Sequence, residues 1–314
     1  MELRHLRCFL AVAEELHFAR AAERLHIEQS PLSRAIKELE EELGVVLFAR
    51  TTRSTRLTRA GKLFLDHVPR VFAALQQARD SVKAAANGFH GQLRVALSDG
   101  ITPSRLPALL ALCRQEEPEV EIRLFEVPLS QQIKGLHDDL YDVGFARADE
   151  VGDGIIALPV WNDTLMVAVP VRHDLLKHKR IPLEEVLRFP LVLGDPQACE
   201  GIARQIDRVL RRVDMEPLVA ERVASCDLMM ALVSAGFGLG LTGGAHIEAS
   251  REQGVVARPL AGRSPLLTTY LLRPASDPSE TLVRFIDRVQ AIESPEANRP
   301  ASGGHSNRAE EPKP

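Results

Sequence analysis

The sequence contains little of what several protein classes require. Its 314 residues include only four cysteines, with no C-x-x-C pair, at positions Cys8, Cys113, Cys199 and Cys226. A disulfide scaffold and a zinc ribbon are therefore disfavoured, and the wide spacing suits a reducing cytoplasm. Aromatic residues make up 4% of the chain, which is too few for a stacking platform that binds single-stranded nucleic acid.

Long apolar runs are also missing. No stretch approaches the roughly 18 residues that a membrane-spanning helix needs, and the early charges in residues 1–5 predict that no secretory signal is present. Hydrophobic residues make up 45% and charged residues 26% of the chain, which is typical of a globular protein. At this length we expect about two domains.

The chain as a whole has no large excess of charge of one sign, because its net charge is −4. The balance is nevertheless uneven. Residues 1–62 carry nine Arg and two Lys against nine Glu, a net of +2, so the remainder carries −6. Five of the cations follow one another with no acid between them, at Arg50, Arg53, Arg56, Arg59 and Lys62. Such a run is either a solvated loop or a surface that meets phosphates.

Apolar residues at helical spacing predict three helices in the N-terminal region, over residues 3–15, 18–25 and 29–42. Pro31 suits the first turn of the third helix, where its missing N–H costs nothing. Gly44 can adopt the left-handed conformation that ends this helix. The segments Val45-Val46-Leu47-Phe48 and Ser54-Thr55-Arg56-Leu57 predict a short two-stranded wing around the basic run.

The outer face of the third helix is polar and carries Gln29, Ser30, Ser33, Arg34 and Lys37. Two short helices joined by a turn of three or four residues form a helix-turn-helix, whose second helix enters the major groove of DNA. In that groove Gln can read adenine, Arg can read guanine, and Ser can reach base edges or phosphate. A plain helical hairpin with a polar outer face is the structural alternative.

Three segments carry a resemblance to the LysR-type transcriptional regulators. They are Phe18-Ala19-Arg20-Ala21-Ala22-Glu23-Arg24-Leu25, Gln29-Ser30-Pro31-Leu32-Ser33-Arg34-Ala35-Ile36-Lys37 and Leu57-Thr58-x-Ala60-Gly61. The resemblance is dense over the first sixty residues and extends more weakly to about residue 290. It implies a winged helix-turn-helix domain over residues 1–61 that contacts DNA through Gln29, Ser30, Pro31, Ser33, Arg34, Lys37, Arg50, Arg53 and Arg56. Glu28 departs from the family, which usually has a small hydroxyl residue there as a helix cap.

The next segment has the 4, 3 apolar spacing of a coiled coil, with positions Phe64, Val68, Val71, Leu75, Ala78, Val82 and Ala85. The resemblance implies a dimerisation linker helix and hinge over residues 62–90. A dimer, or a dimer of dimers, would place two recognition helices on an inverted repeat in DNA. An amphipathic helix that lies on its own domain is the alternative. Pro69 predicts a kink near Leu65.

The remaining sequence alternates strands and helices, as in an α/β fold with a parallel sheet. Predicted strands cover residues 93–97, 120–127, 143–146, 164–169, 190–193, 218–223, 239–241 and 267–273. Predicted helices cover 106–116, 133–140, 201–212, 226–235 and 279–292. Ligands bind such sheets at the carboxyl ends of the strands, which indicates the turn 98–102 and Arg147. The Arg147 guanidinium can hold a ligand carboxylate or pair with Asp149 or Glu150.

The resemblance also implies that residues 91–294 form an effector-binding domain similar to periplasmic binding proteins. One lobe would contain about 91–161 and 268–294, and the other about 162–267, with a small organic or aromatic acid between them. The implied contacts are Gly100, Ile101, Thr102, Leu129, Ser130, Arg147, Cys199, Gly201, Ile202 and Cys226. Gly100 and Leu129 stand where the branch that acts in aromatic catabolism often has hydroxyl residues.

Other patterns carry little weight. Residues 238–243 spell G-x-G-x-x-G but follow a predicted helix rather than a strand, which disfavours a dinucleotide site. His173 and His178 have no evident third ligand for a metal, and no G-x-S-x-G motif marks a nucleophile. We therefore expect no cofactor, no metal and no enzyme activity. Residues 295–314 are too poor in large apolar residues to form a core and are predicted to be disordered.

These features predict a cytoplasmic, ligand-responsive transcriptional regulator that binds double-stranded DNA, self-associates, engages RNA polymerase and has no membrane contact. One alternative is a redox-sensing regulator that acts through Cys199, although the acids beside this residue disfavour the thiolate. A second alternative is a cytoplasmic solute-binding module, which the N-terminal motifs disfavour. An enzyme is the third, and only the expected cleft speaks for it.

Overall fold

The computed structural model describes residues 1–50, 54–86, 88–98, 105–250 and 254–292, with the backbone alone at Arg50. The chain forms two compact units, Met1–Ala86 with Asp138–Leu140, and Asn87–His137 with Tyr141–Pro314. The predicted tail over residues 295–314 lies outside the described residues.

The N-terminal unit contains the three predicted helices and the predicted wing. Its elements are α1 (Leu3–Glu15), α2 (Phe18–Arg24), α3 (Gln29–Leu43), β1 (Phe48–Arg50), β2 (Thr55–Leu57) and α4 (Arg59–Ala86). The two strands pair antiparallel, with Phe48 opposite Leu57. Gly44 ends α3 with φ +68°, the left-handed conformation that was predicted for it.

One apolar cluster holds this unit together. Leu32, Ile36 and Leu39 of α3 are completely buried and pack in the same cluster as Phe9 of α1 and Phe48 of β1. The Phe9 ring lies 5.4 Å from the Phe48 ring, measured between centroids. Because these three α3 residues recur at helical spacing, the opposite face of α3 is left free for polar side chains.

The wing is fixed to the helices by short-range hydrogen bonds. The Glu40 carboxylate of α3 accepts the N–H groups of Leu47 at 2.7 Å and Phe48 at 3.1 Å. The Thr58 hydroxyl donates to the Val46 carbonyl at 2.7 Å and accepts the Gly61 N–H at 3.0 Å. A Cβ atom at Gly61 would overlap the carbonyl oxygen of Leu47, so only glycine lets α4 approach the wing this closely.

Helix α4 begins at Arg59, earlier than the predicted linker boundary at residue 62, and continues through Pro69 to Ala86. Its N-terminal half packs on its own unit, because Phe64 and Val68 join the apolar cluster. Further along, Val71 is 43% exposed and Val82 is 71% exposed. The predicted apolar stripe therefore divides into a part that packs against the N-terminal core and a part that this chain leaves uncovered.

The C-terminal unit follows the predicted alternation with several additions. Its first elements are β3 (Gly91–Leu97), α5 (Arg105–Glu116), β4 (Val120–Glu126), α6 (Leu129–His137), β5 (Val143–Ala146) and β6 (Ile155–Pro170). Next come α7 (Leu183–Val186), β7 (Leu191–Gly194), α8 (Glu200–Leu210), β8 (Val219–Val223) and α9 (Cys226–Ser234). The last are β9 (Leu239–Gly243), α10 (Gly244–Ala249), β10 (Val255–Pro259), β11 (Leu266–Pro274) and α11 (Glu280–Ala291).

The sheet of this unit is mixed rather than parallel, which corrects the sequence prediction. Its strands follow the order β4-β3-β5-β11-β6-β9-β7-β8, and β10 pairs with β6. β3 pairs parallel with β4 and β5, and β7 pairs parallel with β8 and β9. β11 runs antiparallel to both β5 and β6. The parallel groups are thus two lobes, joined by the antiparallel pair β6 and β11.

Each lobe has its own apolar core. In the first lobe, Trp161 stacks on Phe145 with 5.0 Å between ring centroids, and both side chains are buried. In the second lobe, a separate cluster contains Val167, Leu191 and Leu241. β6 and β11 cross between the lobes and contribute to both cores. β6, for example, supplies Trp161 to the first core and Val167 to the second.

Charged side chains also fasten the first lobe. Arg288 of α11 donates from Nε to the Glu116 carboxylate at 2.6 Å and from Nη1 to the Glu117 carboxylate at 2.7 Å. These bonds join the C-terminal helix α11 to α5. The Arg288 guanidinium lowers the pKa of Glu117 below its ordinary value, chiefly through this hydrogen bond.

The sequence prediction missed parts of this unit. The apolar spacing predicts that Leu140 belongs to a helix, but α6 ends at His137 and Leu140 is exposed. Strand β6 begins at Ile155, nine residues before the predicted start at 164. Helix α10 and strand β10 were not predicted. Their sequences are short and lack the regular apolar spacing on which such predictions depend.

Candidate DNA-binding surface and effector cleft

The polar face of α3 lies on the surface, as a recognition helix requires. Gln29, Ser30, Pro31, Arg34 and Lys37 are exposed, and Ser33 is half-buried. Turn residues 25–28 separate α3 from α2, a length that fits a helix-turn-helix. The predicted base-reading side chains therefore share one accessible face, while the opposite side of the helix packs into the core.

Two further arginines lie beside Arg34. A surface cavity of about 500 Å³ is lined by Arg34, Arg4 and Arg7, with Cys8 and Ile27 among its apolar residues. The Arg4 guanidinium is paired with Glu2 at 3.0 Å, and that of Arg7 lies 6.0 Å from the centre of the Phe72 ring. No sequence pattern groups Arg4 and Arg7 with α3, because the prediction of α1 depends on its apolar spacing alone.

Glu28 precedes α3 at the capping position but makes no capping hydrogen bond with its side chain. The residue is exposed. A carboxylate at this end is favourable to the helix dipole, yet the cap that a serine would supply is missing. The departure from the family pattern therefore changes both the stability of the helix start and the charge of this surface.

The wing carries part of the predicted basic surface. Arg56 lies on β2, is exposed and stands opposite Ala49 of β1. Arg50 ends β1, and its side chain is outside the description. Arg53 lies outside the described residues. The described part thus places the exposed Arg56 beside the loop on which the run of cations was predicted.

The predicted effector contacts fall in different places of the C-terminal unit. Gly100, Ile101 and Thr102 lie outside the described residues. Ser130 is exposed near the start of α6. The Leu129 side chain is 2% exposed and packs in an apolar cluster, which leaves only its backbone for a ligand.

Arg147 follows β5 and is 2% exposed. Its Nη2 atom lies 3.7 Å from Oδ2 of Asp163 on the crossing strand β6. The alternative pairing with Asp149 or Glu150 is wrong, because these acids instead face Arg208 of α8, with its Nη2 at 3.6 and 3.0 Å. Asp163 was absent from the predicted site, and no local sequence pattern connects it with Arg147.

Gln205 of α8 joins the two lobes at the same point. Its Nε2 donates to the Arg147 carbonyl at 2.7 Å and to the Thr268 carbonyl at 2.8 Å. Its Oε1 accepts the Thr268 N–H at 2.9 Å. Since Thr268 lies on β11, one side chain of the second lobe is tied to the end of β5 and to a crossing strand. Sequence reasoning missed Gln205 as well.

A cavity of about 280 Å³ lies between α8 and α9 and reaches Glu126 at the end of β4. Three predicted effector contacts, Cys199, Ile202 and Cys226, line it together with Thr242 and His246. The fourth predicted contact of this region, Gly201, is buried in the first turn of α8. The structure thus brings Cys199, Ile202 and Cys226 to one cavity, although 23 residues of sequence lie between Ile202 and Cys226.

The thiols of this cavity are hydrogen-bonded. Cys199 donates to the Ala224 carbonyl at 3.3 Å, and the Cys226 sulfur lies 3.6 Å from the Thr242 hydroxyl. Burial raises the pKa of Cys226 above its ordinary value, while Thr242 and the charge of Arg147 oppose that shift. A raised pKa keeps the Cys226 thiol protonated and less reactive.

The remaining sequence motifs have packing roles. The G-x-G-x-x-G segment lies at the start of and along β9, after α9. A Cβ atom at Gly238 would overlap the Pro190 carbonyl, and one at Gly243 would overlap the Asp163 carboxylate. His173 caps a short turn by accepting the Leu175 N–H at 3.2 Å. In the part of the chain that the structure describes, no three His, Cys, Asp or Glu side chains are grouped to hold a metal.

These two units define a class of protein: a winged helix-turn-helix followed by a two-lobed α/β sensor. Family models agree with both parts. Residues 3–62 match the bacterial regulatory helix-turn-helix protein of the lysR family, and residues 86–292 match the LysR substrate binding domain. The chain belongs to the LysR family of bacterial transcriptional regulators, which bind DNA and carry an effector-binding domain.

Individual relatives cover most of the chain. The uncharacterised HTH-type transcriptional regulator YnfL of Escherichia coli K12 is 34% identical over 77% of this chain and 82% of its own length. The Hca operon transcriptional activator HcaR of the same organism is 32% identical over 92% of this chain and 97% of its own. The crystal structure of the LysR family regulator CbnR is 28% identical, with a TM-score of 0.69 over 93% of this chain and 99% of that one.

Among the described residues, no helix is both long enough and apolar enough to span a bilayer.

Proposed function

We propose that this protein is a sequence-specific transcriptional regulator whose promoter binding responds to a small molecule held between the two lobes. The observation that carries the proposal is the α3 face, where Gln29, Ser30 and Arg34 are exposed while Leu32 and Ile36 are fully buried. This chain is also similar to full-length CbnR in its crystal structure with target DNA, and this similarity supports DNA as the partner. The proposed DNA contacts are Gln29, Ser30, Pro31, Ser33, Arg34, Lys37, Arg50, Arg53 and Arg56.

Arg34 provides the sharpest test of base reading. Selection from random duplexes with the full-length protein should yield an inverted repeat, and Arg34→Lys should then relax the preference at one base of each half-site. Lysine keeps the charge but loses the two-pronged contact to guanine. The expected loss of discrimination is about 1–3 kcal/mol.

The matched control is Arg211→Lys, because Arg211 is exposed at the C-terminal end of α8 and its guanidinium pairs with Asp207, one turn earlier, at 2.6 Å. This variant should bind as the wild type does. If Arg34→Lys weakens binding equally for every sequence, the contact of Arg34 is to phosphate. If no sequence is preferred over random DNA, the proposed function is wrong.

We also propose that two copies associate through the uncovered stripe of α4. Val71 and Val82 lie in heptad register and are 43% and 71% exposed, and a second helix would bury them. Val82→Glu should shift the full-length protein from dimer toward monomer in sedimentation equilibrium. Lys83→Glu, one residue away and off the stripe, should leave the mass unchanged. A Val82→Glu variant that stays dimeric would show that this stripe is not the interface.

The proposal also includes domain boundaries, a cellular location and a protein partner. We place the DNA-binding domain at residues 1–61, the linker and hinge at 62–90, and the effector-binding domain at 91–294. We assign lobe I to about 91–161 and 268–294, and lobe II to about 162–267. The protein would act in the cytoplasm, where bacterial DNA is, would engage RNA polymerase and would catalyse no reaction.

The effector would lie in the cleft at Arg147 and in the adjoining cavity. The proposed contacts are Gly100, Ile101, Thr102, Leu129, Ser130, Arg147, Cys199, Gly201, Ile202 and Cys226. Support comes from the shared cavity of Cys199, Ile202 and Cys226 and from the buried position of Arg147 at the end of β5. A ligand acts only by binding the two lobe arrangements with different affinity, so its addition should change the affinity of the full-length protein for the selected DNA.

A further inference from the structure

The Asp163 carboxylate lies beside Arg147, where the proposed ligand is an acid, so a negative side chain would adjoin a negative ligand. Its Oδ2 atom is buried and has no hydrogen-bond partner among the described residues. The nearest opposite charge is Arg147 Nη2 at 3.7 Å, which is beyond hydrogen-bond length. A buried carboxylate oxygen without a donor is costly, and the position is therefore suited to a ligand that brings one.

The fold makes room for this carboxylate. It lies against Gly243 at the end of β9, where any Cβ atom would overlap Oδ2. The same Cβ position would be 3.5 Å from Nδ1 of His246, and His246 and Thr242 line the cavity described above. Asp163 thus lies next to the cavity wall, on the crossing strand that both lobes share.

The charges around the cavity disfavour a simple anion. The described part of its wall carries the carboxylates of Glu126 and Asp227 and no lysine or arginine. A ligand carboxylate bound to Arg147 would share one guanidinium with Asp163, and two neighbouring carboxylates repel each other. A positive N–H donor on the ligand removes this repulsion and satisfies the buried oxygen of Asp163.

We propose that the effector is amphoteric, with a carboxylate held by Arg147 and an ammonium group held by Asp163, as in an α-amino acid. This inference rests on the proposed effector function and narrows it from organic acids in general to those that carry an amine. Asp163 then selects among acids: it accepts the hydrogen bond of the ammonium group and repels ligands that have only negative charge.

The test uses the full-length protein, the twenty common amino acids, and the deaminated acid and the decarboxylated amine of each. Binding is measured by calorimetry. At least one amino acid should bind, and its two truncated counterparts should bind at least tenfold more weakly. Asp163→Asn should weaken the amino acid at least tenfold and should reduce its advantage over the deaminated acid. The matched control Asp207→Asn, an exposed α8 carboxylate, should leave both affinities unchanged.

Each other outcome overturns the proposal. It is wrong if a deaminated acid binds as tightly as its amino acid, if none of the amino acids binds, or if a folded Asp163→Asn variant keeps the wild-type preference. Should Asp163→Asn fail to fold, the comparison of amino acids with their truncated counterparts on the wild type decides alone. Sequence-selective DNA binding is measured separately. If no amino acid binds but the protein still selects a DNA sequence, only the proposal about the effector is wrong. If the protein selects no DNA sequence, the proposed function as a regulator is wrong.

Discussion

Gln205→Leu should destabilise the C-terminal unit well beyond what an exposed contact contributes. The variant removes three hydrogen bonds, two to the carbonyls of Arg147 and Thr268 and one from the Thr268 N–H, all between 2.7 and 2.9 Å. At about 1 kcal/mol for each bond, the free energy of unfolding should fall by about 3 kcal/mol. For a unit of this size that corresponds to a lower melting temperature by roughly 6–12 °C.

The chain offers a selective probe for this measurement. Trp161 is its only tryptophan, is 2% exposed and lies in the core of the first lobe, so its fluorescence follows unfolding of the C-terminal unit without a signal from the N-terminal one. Urea titrations at pH 7 would compare the wild type with Gln205→Leu and with Arg208→Ala. Arg208 lies one turn further along α8, and its exposed ion pairs should contribute less than about 1 kcal/mol.

The comparison between the two variants decides the outcome. If Gln205→Leu and Arg208→Ala differ by less than about 0.5 kcal/mol, solvent replaces the three hydrogen bonds of Gln205, and this residue does not hold the lobes together. If the expected difference is found, Gln205→Leu should also weaken the effect of any ligand on DNA affinity, because α8 is then less firmly tied to the end of β5.

Three further predictions concern local structure. Gly61→Ala forces a Cβ atom into the Leu47 carbonyl and should lower the stability of the N-terminal unit by at least about 2 kcal/mol. Helical circular dichroism should then be lost earlier, while the Trp161 fluorescence transition stays unchanged; an unchanged circular-dichroism transition would contradict this prediction. Glu28→Ser should stabilise α3 by about 1 kcal/mol through a new cap and alter DNA affinity or site preference, whereas identical binding isotherms would remove residue 28 from the interface. Glu117→Gln should lower the free energy of unfolding above pH 4.5 and match the wild type in stronger acid, because the pKa of Glu117 is lowered in the folded protein. A difference in unfolding free energy that stays constant from neutral pH into acid would argue against the Arg288 contact.

The N-terminal unit was predictable because its order is local. Leu32 and Ile36 recur at helical spacing, and the structure buries both completely. Gly44 adopts the predicted left-handed conformation, which depends only on glycine having no Cβ atom. The role of Gly61 was not predictable in the same way, since its contact is with a carbonyl fourteen residues earlier in the chain.

The C-terminal unit shows where local patterns fail. The first half of β6 was missed, because its partner β11 lies about a hundred residues away and pairing is decided by contacts that the periodicity does not contain. The same strands turned the expected parallel sheet into a mixed one. Arg147 is a predicted effector contact, and the sequence offers Asp149 and Glu150 as nearby partners, whereas the fold places Asp163 3.7 Å from its guanidinium.

The sequence by itself determined the class of protein and the polar face of α3 that we propose as the DNA contact, because helical spacing and a dense motif define which side of α3 is apolar. Only the tertiary structure decided the chemistry of the cleft. Arg147, Asp163 and Gln205 come from three separate segments, and β6 and β11 bring them together. Burial then gives their charges and hydrogen bonds a significance that the same residues would lack in water.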